Sequence, residues 1–324
     1  MTVTSPAGRL ATIIVSFNTR HLLARCLDAL RAAEVHAGLP STPIIVDNAS
    51  GDGSAEFLAA NYPQIPLIRS ERNVGFGRAN NLALKAIGDI DYLLLLNTDA
   101  FVSEAALSET MAFMGRNPRC GIVGVRLTDS AGGAQPSCRN FPTPFNTFLQ
   151  RTGLRRLAPW VLPVDDARRD FDKSQECDWV PGCFYLIRRE VIDRVGLFDP
   201  LYFLYFEEVD HCFATKSAGW TVNYCATTST IHLGGESAGS QGKLTKAGNQ
   251  LEGLQMESAM IYYRKNFGIG ILLLHLLLES TADCIVSVKA LLRGRMDDAA
   301  FFMRRIGATA RIARATRLGS VPTR

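Results

Sequence analysis

Asp91–Asp99 reads DYLLLLNTD, five apolar residues closed by an Asn-Thr-Asp tail. A continuous apolar run of that length, stopped abruptly by polar residues, is the pattern of a strand buried on both faces of a sheet. Toward the N-terminus, shorter runs of the same kind recur at Ala11–Phe17 (ATIIVSF), Pro43–Val46 and Ile65–Arg69. Between them, Arg20–Val35 brings Leu22, Leu23, Cys26, Leu27 and Leu30 onto one helical face. A second helix, Ala55–Asn61, follows the turn DNASGDGS at Asp47–Ser54, and Asn73–Ile87 passes from a glycine-containing loop into a third. Strands alternating with helices predict an α/β fold, a mostly parallel sheet with helices on both faces. Ligands of such sheets bind beyond the carboxyl ends of the strands. The segments after Phe17, Val46 and Leu96 are therefore where chemistry is expected, and all three are polar.

The C-terminal two thirds are less regular. Gln135–Asp178 holds five prolines and scattered arginines and reads as an irregular, functional loop. Trp179–Arg188 is expected as a strand and Glu190–Val195 as a short helix, whereas the glycine- and serine-rich Gly235–Asn249 reads as mobile. Beyond it, Gln250–Phe267 and Ile269–Arg293 have helical character. The expected division is an α/β domain over residues 1–249 and a helical, basic segment over 250–324. Met260–Arg324 carries eleven Lys and Arg against four Asp and Glu, while the rest of the chain is mildly acidic. A basic tail on an acidic body suggests an anionic surface as partner; nothing else in the body suggests nucleic acid, so phospholipid is preferred. The eight cysteines form no C-x-x-C, and the N-terminus lacks the basic and apolar regions of a secretory signal, so a reduced, cytoplasmic protein is expected.

Five segments carry candidate chemistry. Asp99, at the end of the apolar strand, is placed to hold a divalent cation bridging two phosphates, or to cap the next helix. Asp47 is placed to accept the imide N–H of a uracil or thymine ring, or to make an Asx-turn. In NVGFGRANN (Asn73–Asn81) two glycines permit close backbone approach to a ligand, with Arg78 and Asn80 as polar handles. Phe198–His211 (FDPLYFLYFEEVDH) sets Asp199, Glu207, Glu208 and Asp210 among aromatics, which favours a raised carboxyl pKa and general-base work. His232 stands at the end of a strand before a glycine-rich loop, a position suited to a metal ligand or to an ordinary structural histidine.

Together and in this order, IIVSFN (Ile13–Asn18), IIVDNASGDGS (Ile44–Ser54), NVGFGRANN, LLLLNTDA (Leu93–Ala100), the run Trp179–Cys212 and IHLGGES (Ile231–Ser237) resemble the family 2 nucleotide-sugar glycosyltransferases of the GT-A fold, nearest the rhamnosyltransferase-like branch. The match covers about residues 10–240. The resemblance implies a Rossmann-like mixed sheet with a C-terminal helical segment. It implies a nucleotide site from Ser16, Asn18, Asp47, Asn73, Gly75, Arg78 and Asn97, with Asn97 standing where the first Asp of a DxD motif would be. It further implies Asp99 and His232 as ligands of Mg²⁺ or Mn²⁺, and Trp179, Gly182 and Cys183 as the floor under donor sugar and acceptor. Glu208 matches the catalytic-base position, where Asp is commoner, and Glu207 and Asp210 remain alternatives. The implied reaction is inverting transfer of a sugar, L-rhamnose from dTDP-rhamnose foremost and a UDP-sugar otherwise, to a polyprenyl-diphosphate-linked or cell-surface glycan. Two other classes are a nucleotidyltransferase, whose glycine-rich basic loop after the first strand is replaced here by SFNTRHLL, and a sugar-binding or scaffold protein without catalysis.

Ile269–Leu292 contains LLLHLLLE, but His275, Glu279, Asp283 and Lys289 interrupt it. Four such side chains argue against a spanning helix and for an amphipathic one lying at the inner face of the plasma membrane, or for a helical bundle that packs on the catalytic domain or on a second subunit in a homodimer.

Overall fold

The computed structural model describes residues 8–234 and 248–324. The stretch read as mobile lies outside the described residues apart from its last two, and so do Glu236, Ser237 and the extreme N-terminus. Residues 8–139, 168–200 and 207–234 make one compact unit, and residues 140–167, 201–206 and 248–324 a second.

The first unit is a ten-stranded sheet flanked by helices. In chain order it contains β1 (Leu10–Ser16), α1 (Arg20–Ala37), β2 (Ser41–Asp47), α2 (Ser54–Asn61), β3 (Leu67–Arg69), α3 (Phe76–Leu84), β4 (Tyr92–Asn97), β5 (Ala100–Val102), α4 (Ala106–Arg116), β6 (Cys120–Thr128) and β7 (Ala134–Gln135). After residues assigned to the second unit come β8 (Gln175–Cys177), β9 (Phe184–Arg188), α6 (Arg189–Val195), α7 (Glu207–Ser217) and β10 (Thr221–His232). The strand order is β3-β2-β1-β4-β9-β6-β10-β5, with β7 on β6 and β8 on β10. Strands β1 to β4 are parallel, as expected from their apolar runs. The alternation of side chains sends Ile14, Leu94, Leu96, Val123 and Leu186 into one core with Leu23, Cys26 and Leu30 of α1 and Leu107, Met111 and Met114 of α4.

The sheet is mixed rather than mostly parallel. β9 runs antiparallel between β4 and β6, and β5 antiparallel to β10. The expected strand Trp179–Arg188 is shortened to Phe184–Arg188 because Pro181 and Gly182 interrupt the ladder; Trp179 makes only an isolated bridge to Arg139. β9 thus enters the sheet at the edge where β1, β2 and β4 end, and Asn97 N–H donates to the Cys183 carbonyl at 3.1 Å.

In the second unit, the proline-rich stretch read as irregular contains α5 (Pro144–Thr152). Its prolines start the helix instead of breaking it. Thr143 caps the N-terminus in a reciprocal pair with Asn146, and Pro144 takes the first helical position, where a missing N–H costs nothing. The two C-terminal helices are separated at the expected place: α8 (Gly248–Leu291) contains Gly268 at φ 81°. A helix α9 (Met296–Ala315) follows and packs against α8. The polar residues that interrupt Ile269–Leu292 turn inward within this unit. Asp283 is wholly buried and accepts from both Arg151 and Arg305, which also engage Glu279. Lys289 Nζ donates to the Thr152 carbonyl at 2.6 Å. All eight cysteines are free.

Candidate active site

Register alone aligns the polar strand ends. Ser16 lies opposite Asp47, and Val15 opposite Asn97, so three of the expected nucleotide residues follow one another along a single sheet edge. Two residues just beyond that edge, Asn18 (φ 53°) and Ala49 (φ 66°), adopt the left-handed region that side chains other than glycine disfavour. Asn18 offsets this by accepting the Gly51 N–H at 2.7 Å and donating its own N–H to Ser50 Oγ at 3.0 Å. Asp47 is 4% exposed; its Oδ2 accepts from Ser50 N–H at 3.2 Å, and its Oδ1 meets no partner among the described residues. A buried acceptor without a donor is costly, and it marks where a ligand N–H is wanted.

Asn48 fixes the next loop. Its Oδ1 accepts from Val74 N–H and its Nδ2 donates to Asn73 Oδ1, both at 2.9 Å, while Asn73 Oδ1 also accepts from Gly75 N–H. Gly75 opens α3 at φ 88°. Gly77 serves protein packing and not ligand approach: a Cβ there would lie 3.1 Å from Phe198 Cβ and 3.6 Å from the Glu207 side chain. Arg78 Nε donates to the Pro200 carbonyl at 2.7 Å, and Asn80 Nδ2 back to the Phe76 carbonyl at 3.0 Å, so both polar handles have protein partners.

The turn after β4 delivers Asp99, 3% exposed, beside the end of β10. Ala100 pairs with His232, Leu233 N–H donates to the Asp99 carbonyl at 3.0 Å, and His232 Nε2 lies 3.7 Å from Asp99 Oδ1. Among the described residues no group of three or more His, Cys, Asp and Glu side chains converges as a metal cage. An imidazole nitrogen and a carboxylate oxygen facing each other nevertheless fit a divalent cation that takes its remaining ligands from phosphate oxygens and water.

The acidic cluster opens α7. Glu207 is 2% exposed and packs against the Gly77 backbone, and neither of its carboxylate oxygens meets a partner among the described residues. Burial, reinforced by the neighbouring charge of Glu208, holds its carboxyl well above the ordinary range. Glu208 is partly exposed; burial raises its carboxyl too, but the Arg139 guanidinium opposes the rise. Arg139 lies 4.3 Å over the ring of Trp179, itself 6% exposed. Asp210 is buried at 4%. Gly182 lets the chain pass the Phe76 ring, which a Cβ would meet at 3.4 Å. Cys183 is buried, and its thiol is pushed up first by burial, then by the charge of Asp99 and, more weakly, of Glu208. Cys183 thus lies within the field of both acids.

Three residues of this constellation went unassigned by motif reading: Asn48, Arg139 and Gln135, whose side chain contacts His232. Asn48 was inside a quoted motif, and only its two-sided amide gives it away. Arg139 and Gln135 lie in the stretch read as loop, where spacing carries no signal.

A mixed sheet whose strand ends gather an unsatisfied Asp, an Asp–His pair and a helix-borne acid is that of a GT-A glycosyltransferase. The chain belongs to glycosyl transferase family 2, whose profile matches residues 12–196. It is 26% identical over 247 residues to the N-acetylglucosaminyl-diphospho-decaprenol L-rhamnosyltransferase of Mycobacterium tuberculosis, covering 71% of this chain and 78% of that protein. It is 25% identical over 228 residues to rhamnosyltransferase WbbL of Escherichia coli K12, covering 68% of this chain and 81% of that protein. Among solved structures, the mannosyltransferase PcManGT of Pyrobaculum calidifontis, in complex with GDP-Man and Mn²⁺, superposes with a TM-score of 0.55 at 14% identity, covering 97% of this chain and 87% of that one. GalNAc-T7 with UDP, GalNAc and Mn²⁺ gives 0.55 at 13% identity, covering 96% and 58%. At such identities these structures speak for the fold alone.

Proposed function

We propose that the protein is an inverting L-rhamnosyltransferase that draws on dTDP-L-rhamnose and glycosylates a lipid-linked glycan. The names of its two rhamnosyltransferase relatives support the sugar and the lipid-linked acceptor. The observation that carries the mechanism is the contrast between two adjacent acids. Glu207 is sealed from water, and burial disfavours its ionised form. Glu208 is partly exposed, and its own backbone N–H and the Arg139 charge both favour its ionised form against burial. Inversion by direct displacement needs one base, and Glu208 takes the proton of the acceptor hydroxyl as it attacks the anomeric carbon. Asp47 Oδ1 accepts the imide N–H of the thymine ring, with Ser16 and Asn18 lining the nucleoside and Asn73, Gly75, Arg78 and Asn97 bordering it. Trp179, Gly182 and Cys183 form the floor beneath the sugars. Asp99 and His232 hold Mg²⁺ or Mn²⁺, which when bound offsets the charge developing on the leaving diphosphate.

The acceptor's lipid gives the second unit a role. α8 is long and apolar enough by length and composition to cross a membrane. Its polar side chains point inward, however, while Leu273, Leu274, Leu277, Val288 and Leu291 are exposed. Such a helix, followed by arginines at 293, 295, 304, 311 and 314, suits the interface of an anionic bilayer on the cytoplasmic side better than its interior.

Thermal shift of the purified protein against dTDP, UDP, GDP and CMP, with and without Mn²⁺, tests this reading, since a ligand that binds only the folded chain raises the melting temperature. A metal-dependent shift with dTDP is expected. A shift with UDP alone would replace the donor, because uracil presents the same imide N–H, and no shift with any nucleotide would overturn the assignment.

A further inference from the structure

Gln135 touches His232 twice. Its Nε2 donates to the His232 backbone carbonyl at 2.8 Å, and its Oε1 lies 2.9 Å from His232 Nδ1. The first contact decides the second. A carbonyl only accepts, so the amide nitrogen must face it, and the amide oxygen is left to face the ring. An oxygen acceptor at Nδ1 requires a proton there. The neutral ring then has a bare lone pair at Nε2, and that lone pair faces Asp99 Oδ1 at 3.7 Å with no donor between them. Two acceptors held face to face repel unless a cation lies between.

The backbone around Gln135 is built to hold this pose. β7 has two residues, and Gln135 pairs with Leu127 of β6. Ser137 Oγ donates to the Gln135 carbonyl at 2.8 Å and accepts the Leu127 N–H at 2.9 Å, bracing the short strand from its far side. The turn that leads into it is closed by Asp129, which accepts from Ala131 and Gly133 N–H at 2.9 and 2.7 Å. β6 in turn pairs with β10, Thr128 opposite Ile231, so one hairpin sets the distance from Gln135 to His232.

We propose that Gln135 is a positioning residue that locks His232 in the Nδ1–H tautomer and aims the Nε2 lone pair at a cation shared with Asp99. This rests on the reading of Asp99 and His232 as metal ligands and adds to it the group that orients one of them. An outer partner of this kind is generally worth about 10- to 100-fold in metal affinity.

The test uses the full chain, wild type, Gln135→Leu, Gln135→Glu and His232→Ala, each checked for folding by circular dichroism. Calorimetric Mn²⁺ titration in the presence of dTDP should show Gln135→Leu weaker than wild type by about 10-fold or more. Gln135→Glu, which retains an acceptor for Nδ1–H but sets a second oxygen against the His232 carbonyl, should fall between wild type and Gln135→Leu. Nitrogen-15 spectra of histidine-labelled protein without metal at pH 8, with His232 assigned through its Ala variant, should show the Nδ1–H tautomer in wild type and its loss in Gln135→Leu. Mn²⁺ affinity lost in His232→Ala but unchanged in Gln135→Leu would overturn the clamp and leave the metal reading standing. Absence of any Mn²⁺ effect in wild type would sink the metal reading instead. An Nε2–H tautomer in the wild-type spectrum overturns the clamp whatever the variants do.

Discussion

In the second unit Asp283 is wholly buried and meets the guanidinium groups of both Arg151 and Arg305 through one oxygen, its other oxygen having no partner among the described residues, while in the first unit Asp47 and Glu207, nearly as buried, leave three carboxylate oxygens without a partner among those residues. Both arrangements cost desolvation, and in the second unit two guanidinium charges offset part of it. A buried charge that is answered by its opposite holds helices together. On the proposed reading, one left unanswered is retained for something that arrives later, a base edge at Asp47, while the sealing of Glu207 favours ionisation of Glu208 beside it. The difference sorts acids that look alike in sequence into structural and functional ones.

Breaking the functional side should give the largest effect. Glu208→Gln is expected to cut transfer by up to about 10⁴-fold, the range for loss of a general base, with dTDP binding within a few-fold of wild type; near-normal turnover in single-turnover kinetics would remove Glu208 from the role. Breaking the structural side should act on folding alone. Arg305→Met leaves Arg151 alone to answer both Glu279 and Asp283 and should lower stability by up to about 3–5 kcal/mol in urea unfolding, while nucleotide affinity of the folded fraction stays the same. Between the two lies Asp47→Ala, for which a loss of about 1.5–3 kcal/mol in dTDP affinity is expected from a hydrogen bond to a charged group, with melting temperature unchanged or raised. A fall in stability there would show that Asp47 belongs with the answered charges.

A pH measurement sharpens the comparison. His275 is buried near Arg151 and Arg305, and burial first, then those two charges, lower its pKa from 6.5 to about 4. The folded chain therefore binds fewer protons than the unfolded one between those values. The stability this group contributes is present above pH 6.5 and is lost as pH falls toward 4, by at most about 3 kcal/mol. His275→Gln should flatten that part of the unfolding profile; an unaltered slope would assign the acid sensitivity to other groups. The smallest effect is expected from Glu207→Gln. An amide replaces an acid whose ionised form burial already disfavours, so stability and turnover should change by less than about 1 kcal/mol, and a large loss of turnover would mean that Glu207 ionises after all.

The half of the sheet that carries the candidate site was legible because DYLLLLNTD and its neighbours are periodic, and polar residues at strand ends fall on one edge whenever the strands are parallel. α5 was hidden because its prolines look like breakers until Thr143 and Asn146 are seen capping it. The antiparallel entry of β9 had no local signature at all. In the site, sequence order brought out Asp47, Asp99, Glu208 and His232. It gave no means to rank Glu207 against Glu208, since one residue of helical rotation, set by packing on Gly77, decides which is sealed. Gln135 was invisible for a related reason. A two-residue strand has no period to read, and its meaning lies in two contacts 97 residues away.

The membrane docking proposed for the exposed apolar residues of α8 has a kinetic side. An enzyme that stays on the sheet of lipid carrying its acceptor searches an area instead of a volume, and confinement of this kind raises the local concentration of a partner to about the millimolar range for short tethers. Such an enzyme has little need to grip the acceptor glycan tightly. Turnover would then track the surface density of lipid more than its total amount, so diluting the acceptor among inert lipids would slow the reaction even at constant bulk composition.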